Sequence, residues 1–321
     1  VGDFDQAIDR SGAQALMPEE VSRDIIQAAV TRSAALSMFR RVTMSRAQRR
    51  IPALSAFPAA YWVGGDTGLK KTTTQQWTNR YLNVAEMAVL VPIPEVVLDD
   101  ADYDVWGEVK PRLVEAFGEK LDAAIFFGDD IPAEWTGVSS IVSGCIVAGH
   151  DVSEGSTTLD NGVQDFAADL SAAMEFVEDD GFDVNGFAGP RRLKSRLRNL
   201  RADTGEPIFQ NIADGPGGRI YGEPYEVIGN GAWDGSTLAI AGDWTQGILG
   251  IRQDVEYLVS REGVVSDADG AVILNLLQQD SVLLRATFRV AFVLANPITR
   301  QSTTFADTNR FPFACVLSTD S

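Results

Sequence analysis

The sequence predicts a soluble α+β fold, and three observations carry that prediction. One long stretch has helical periodicity, a two-armed ribbon is rich in aromatic and β-branched residues, and residues 136–275 read as short strands between glycine turns. In DVWGEVKPRLVEAFGEKLDAAIFFG, Trp106, Val109, Leu113, Phe117, Leu121 and Ile125 recur at spacings of three and four. That spacing predicts a helix over 104–127, about 36 Å long, with Gly128 as its stop. Pro111 is expected to kink it or to mark the start of its second segment.

The stretch ahead of this helix, VLVPIPEVVLDD (89–100), is apolar enough for a buried strand yet carries Pro92 and Pro94. Prolines are tolerated on an edge or at a bulge, so Val89–Leu98 is read as the ribbon's second arm entering a body sheet there. Asp99, Asp100, Asp102 and Asp104 then supply helix-capping acids. DDADYD also resembles the start of a calcium loop, but Val105 stands where that loop needs glycine and Pro111 where it needs glutamate.

Residues 42–91 form the ribbon. Its first arm, RRIPALSAFPAAYWV, is broken by Pro52 and Pro58; GGDTG (64–68) is the turn, and KKTTTQQWTNRYLNVAEMAVLV the second arm. Phe57, Tyr61, Trp62, Trp77 and Tyr81 lie along it. Burying five such rings is worth about 20 kcal/mol gross, an upper bound that a lone hairpin cannot realise. The ribbon therefore needs a neighbour, either its own chain or another subunit.

Residues 1–16 read as a mobile arm, followed from Met17 by a short helix with Pro18 in its first turn and a narrow stripe of Val21, Ile25 and Ala28. In the region 136–275, GPRRLKSRLRNLR gives a second helix with Leu193, Leu197 and Leu200 on one face. IYGEPYEVIGN, STLAIAGDW and GILGIRQDVEYLVS read as strands, as does the later LLRATFRVAFVL.

Composition narrows the function classes. No apolar run reaches the roughly 18–20 residues of a membrane span, and the acidic N-terminus does not resemble a secretory signal. The net charge of −18 argues against nonspecific nucleic-acid binding by the whole chain. Two basic clusters, Arg40/Arg41/Arg46/Arg49/Arg50 and RRLKSRLRNLR (191–201), read as solvated or intersubunit salt-bridging faces. Cys145 and Cys315, the only cysteines, are expected as buried free thiols, and His150, the only histidine, as structural or solvent-exposed.

Nucleotide-binding, nucleophile-elbow and zincin motifs are absent, so no catalytic residue, cofactor or metal is assigned. GPGGRI (215–220) reads as a turn. The run EDD (178–180) reads as solvated loop acids rather than half of a glycosidase pair.

The order of these segments resembles the major capsid proteins of tailed bacteriophages with the Hong Kong 97-type fold. The markers are LMPEEVSRDII (16–26), PAAYWVGGDTG (58–68), residues 89–128, NGFAGPRRLKSRLRNLRADTGEPIFQ (185–210), YGEPYEV (221–227), AGDWTQGILGIRQDVEYLV (241–259) and LLRATFRVAFVLANPITR (283–300). The resemblance implies an N-terminal arm (1–41), an extended loop (42–80) lying across a neighbouring subunit, and a peripheral domain (81–135 and 276–321) built on a spine helix. Residues 136–275 would form an axial domain.

It also implies an icosahedral shell of hexamers and pentamers that encloses DNA without reading its sequence. Portal and decoration proteins would accompany it, and a separate scaffolding protein or prior processing of the N-terminus is implied. Some members weld subunits through a loop lysine and an asparagine; Lys70 and Lys71, two of five lysines, and Asn296 and Asn309 are the candidates here. The alternatives are an encapsulin-type nanocompartment shell, which shares the fold, and a carboxylate-dependent hydrolase, which predicts a cleft.

Overall fold

A computed structural model describes residues 33–63, 70–100, 105–135, 137–157, 165–200, 218–267, 269–302 and 308–319. The expected short helix after Met17, the ribbon turn at 64–68 and the first half of GPGGRI lie outside them. The chain enters through a short helix, α1 (Ala34–Met38), and a strand, β1 (Arg40–Thr43). The ribbon strands β2 (Gln48–Ala56) and β3 (Gln76–Asn83) follow, then β4 (Ala85–Pro94), α2 (Glu95–Asp100) and α3 (Val105–Asp122).

Helix α3 buries Leu113, Phe117 and Leu121, the stripe read from the sequence. Pro111 neither starts nor divides it, because the α-helix already runs from Val105. The irregularity lies at the other end, where a π-helical turn, Ala123–Phe127, carries Ile125 and Phe126 into the core. There the Gly128 and Asp129 amides both donate to the Ala123 carbonyl, and Gly128, at φ +87°, ends the helix as expected.

The rest of the chain alternates short helices with strands: α4 (Ile141–Ala148), β5 (Asp151–Ser153), α5 (Phe166–Asp179), β6 (Gly186–Gly189) and α6 (Arg191–Asn199). Then come β7 (Arg219–Ile220), β8 (Glu223–Val227), β9 (Thr237–Gly242), β10 (Gly247–Ser260), β11 (Val264–Ser266), β12 (Val272–Asn275), β13 (Ser281–Leu294) and β14 (Phe313–Leu317). All four segments read as strands in this half are strands.

Two sheets organise the body. The first has the order β1-β10-β13-β4, with β1 parallel to β10 and the other pairs antiparallel. Strand β4 is its edge, which accounts for its prolines. Pro92 and Pro94 are two residues apart, so their missing N–H groups face the same side, and the edge leaves one side unpaired. The second sheet has the order β5-β14-β9-β6-β8-β7, covered by α5 with Leu170, Ala173 and Val177 buried. Sheet membership crosses the segment boundary expected at 275/276, since β10 joins β13 and β4 while the C-terminal β14 lies between β5 and β9. Likewise, residues 33–41 of the expected arm are stitched into the body through α1 and β1.

An aromatic joint links the sheets. Phe39 lies 5.3 Å from Phe292, 5.5 Å from Trp244 and 6.0 Å from Phe126, and Trp244 lies 5.0 Å from Phe313. A Cβ at Gly247 would fall 2.1 Å from the Phe39 ring. Gly247→Ala is therefore expected to overpack this joint and cost about 1–3 kcal/mol, read as a lower unfolding midpoint in urea.

Candidate assembly surfaces

The ribbon is rooted by Leu82 and Met44 packing on Ile248, Ala291 and Val293, and its strands pair in register from Gln48↔Asn83 to Ala56↔Gln76. Beyond the paired part the two arms stay close: the Ala59 amide donates to Thr73 Oγ1 at 2.9 Å and Tyr61 Oη to the Lys71 carbonyl at 2.5 Å. The Lys71 ammonium lies 5.9 Å from the Tyr61 ring centre, and Lys70 is exposed.

The five ribbon aromatics separate into two groups. Phe57 is half-buried beneath Arg300, whose guanidinium centre lies 4.4 Å from the ring, and Arg300 Nη1 donates to the Pro58 carbonyl at 3.4 Å. Sequence reading missed this clamp, because nothing local marks an arginine 243 positions away as its partner. The other rings face solvent: Trp62 is fully exposed, Trp77 is 64% exposed and Tyr81 47%, with Tyr61 at 37%. Among the described residues of one copy, the Trp62 ring and much of Trp77 and Tyr81 remain uncovered.

A second set of exposed apolar side chains, not singled out in the sequence, lies on α2, the end of β10 and β12. Val96 and Val97 of α2, Leu258 and Val259 of β10, and Val272 and Ile273 of β12 are exposed. The Glu95 amide donates to the Asp280 carbonyl at 2.8 Å and Arg261 pairs with Glu95 at 3.4 Å, which ties α2 to the β10–β13 connection. The signal was present in the valine pair of EVVLDD, which reads as strand because α2 is only six residues long.

The basic clusters are surface features. Arg40, Arg41, Arg46, Arg49 and Arg50 are exposed. Helix α6 buries Leu193 and Leu197 and turns Arg191, Arg192 and Arg198 outward, while Arg196 pairs with Glu154.

The candidate crosslink asparagines differ in exposure. Asn296, at φ +32°, donates from Nδ2 to the Arg310 carbonyl at 2.9 Å and accepts from Arg310 Nε at 3.3 Å. Asn309 is exposed.

Buried polar groups hold backbone. Asp122 is inaccessible and accepts from Ser33 Oγ (2.6 Å), the Ala34 and Ala35 amides (2.9 and 3.0 Å) and Asn230 Nδ2 (2.6 Å). Burial pushes its carboxyl above the ordinary aspartate range, against the downward pull of those four hydrogen bonds. Asp169, also inaccessible, accepts from the Gly155 and Thr157 amides.

In the EDD run, Asp180 is not a solvated acid. It accepts from the Phe311 amide at 2.8 Å and lies 3.4 Å from His150 Nε2, because the end of α5 packs against the entry to β14. His150 itself is structural, stacked on Phe176 with Nδ1 3.2 Å from the Phe313 carbonyl. Cys145 and Cys315 are buried free thiols. No group of three or more metal-ligating side chains occurs among the described residues, and no helix among them is long and apolar enough to cross a membrane.

Comparison with known proteins supplies the rest. The profile described as the phage capsid family matches residues 13–298. The major capsid protein of Staphylococcus phage 80alpha is 27% identical over 282 residues, covering 86% of this chain and 81% of that protein. A solved chain from Microbacterium phage Oxtober96 superposes with a TM-score of 0.84 at 36% identity, covering 98% of this chain and 100% of that one. One from Mycobacterium phage Bobi gives the same TM-score and coverage at 27% identity. The architecture is therefore the Hong Kong 97-like capsid fold, and the chain belongs to the phage capsid family.

Proposed function

We propose how this major capsid protein of a tailed phage closes its head: the exposed ribbon rings of one copy pack on the body of the next. The single observation that carries this reading is the exposed apolar area of Trp62, Trp77 and Tyr81 on a ribbon that Arg300 already holds to its own body just beyond the paired strands. Rings of that size on a projecting two-stranded element gain free energy only when another surface covers them.

The shell is a homo-oligomer. On this reading its units are hexamers and pentamers, with the second sheet and α5 as the axial domain and α3 with the first sheet as the peripheral domain. The N-terminal residues and the ribbon link units, and many individually weak contacts make the whole durable. A separate scaffolding protein, a portal and a decoration protein complete the head, which encloses DNA without sequence-specific contacts. The subunit is non-enzymatic, waits in the host cytoplasm and ends in the virion. The relatives are phage proteins and lend no support to a nanocompartment or a hydrolase.

Light scattering and negative-stain microscopy on the chain, expressed alone and with its neighbouring phage genes, test the reading. Closed shells tens of nanometres across are expected; a monomer under both conditions would sink it. For the candidate weld, the exposure of Lys70, Lys71 and Asn309 favours those lysines with Asn309 over the half-buried Asn296. The lysine amine would displace ammonia from the asparagine amide. Boiled particles should then give a ladder on a denaturing gel that Asn309→Ala removes, whereas a single monomer band rejects the weld.

A further inference from the structure

Helices α5 and α6 share one core cluster with the second sheet, and their outward faces carry opposite charge. On α5 the buried Leu170, Ala173 and Val177 set the inward side, and Glu175, Glu178 and Asp179 stand exposed on the other. On α6 the buried Leu193 and Leu197 do the same. Arg191 and Arg198, two turns apart, stand exposed opposite them with Arg192 alongside. Among the described residues of one copy, no ion pair joins the two faces. The α6 arginine that does pair, Arg196, meets Glu154 just beyond β5.

These charges also oppose the helices that carry them. Glu178 and Asp179 sit in the last turn of α5, where the helix end is already negative and no basic residue stands. Arg191 and Arg192 open α6, where the helix end is already positive and the first turn holds no acid. Each face therefore adds its sign to that of its helix end, at a cost to the isolated subunit. A surface of opposite sign relieves both, and each face is the complement of the other.

We propose that the acidic face of α5 on one copy docks on the basic face of α6 on the next, around each ring of the shell. Two different faces meeting head to tail generate a ring when the rotation closes. One exposed ion pair is worth little. The contact acts by orienting the neighbour and by repetition at every junction. This inference deepens the shell reading above and rests on its rings of six and five.

The test uses the full chain in three charge-reversed forms, read by sedimentation and negative-stain microscopy beside the unaltered chain. One form carries Glu175→Lys with Glu178→Lys, the second Arg191→Glu with Arg198→Glu, and the third all four changes. All four positions are exposed, so each form is expected to keep the urea midpoint of the unaltered chain. The first two, alone, are expected to lose shells at least tenfold, and the third to regain them. Mixing the first two should give rings of six without closed shells, because alternating partners close an even ring and not a ring of five. Normal shells from either of the first two forms overturn the contact, as does a third form and a mixture that both stay unassembled. A mixture that stops at dimers overturns the head-to-tail arrangement. Shells from the unaltered chain confine any such failure to this contact, whereas a monomeric unaltered chain overturns the shell reading with it.

Discussion

Replacing residues 52–79 with an Asn-Gly turn is expected to abolish closed shells while leaving a folded chain. The turn joins Ile51 to Arg80, which face each other in the ribbon register, so a two-residue hairpin loop closes the stub. Leu82 and Met44, which root the ribbon in the body, remain. What is lost includes Trp62 and Trp77, both exposed in one copy of the chain. Covering two indoles of roughly 200 Å² each is worth about 10 kcal/mol per subunit as an upper bound. A loss of that order, repeated at every copy, exceeds what the remaining contacts of a shell are expected to absorb. Sedimentation should show free capsomers or monomers; normal particles from this variant would remove the ribbon from the account.

Asp122→Ala is the second large effect, and it acts on the subunit itself. Its carboxylate accepts four hydrogen bonds that tie α1, the end of α3 and the loop at Asn230 together. Removing it leaves the Ala34 and Ala35 amides without their acceptor in a site closed to water. Lost charge-assisted bonds and stranded donors together cost about 3–5 kcal/mol, read as a fall in the urea midpoint with little change in slope.

The same residue gives a pH dependence. Because burial raises its folded pKa above the unfolded value, its contribution to stability is fully present below the ordinary aspartate range and is lost as pH rises through the raised value. Asp122→Asn cannot ionise, so its stability relative to the unaltered chain should improve as pH rises through that window. A constant difference across the window would contradict the raised value.

How much of this was legible in the sequence depended on the range of the interactions. The spine helix was legible because Leu113, Phe117 and Leu121 repeat at helical spacing and the core sits on one side of it. The edge position of β4 was legible in Pro92 and Pro94, which only an unpaired side accommodates. The ribbon's exposed rings were legible as area without a core. By contrast, β14 is five residues of uniformly apolar FACVL, whose place between β5 and β9 is set by partners about 75 and 160 positions earlier. Helix α5 was passed over although Asp165 caps it and Leu170, Ala173 and Val177 keep its period, because the surrounding glycine-rich turns dominated the region.

The capture of Phe57 by Arg300 and the Asp122 node were not legible for the same reason. Each depends on a side chain from a distant segment, and one acid among 45 carries no local mark of burial. Fold class followed from local pattern, whereas the surfaces that matter for assembly followed from which side chains the fold leaves uncovered.

The most direct measurement is an electron cryomicroscopy map of the assembled particle at side-chain resolution. Trp62 and Trp77 are expected to be buried against the body of a neighbouring copy, with Phe57 still beneath Arg300 of its own chain. A closed shell in which both indoles remain in solvent would contradict this expectation.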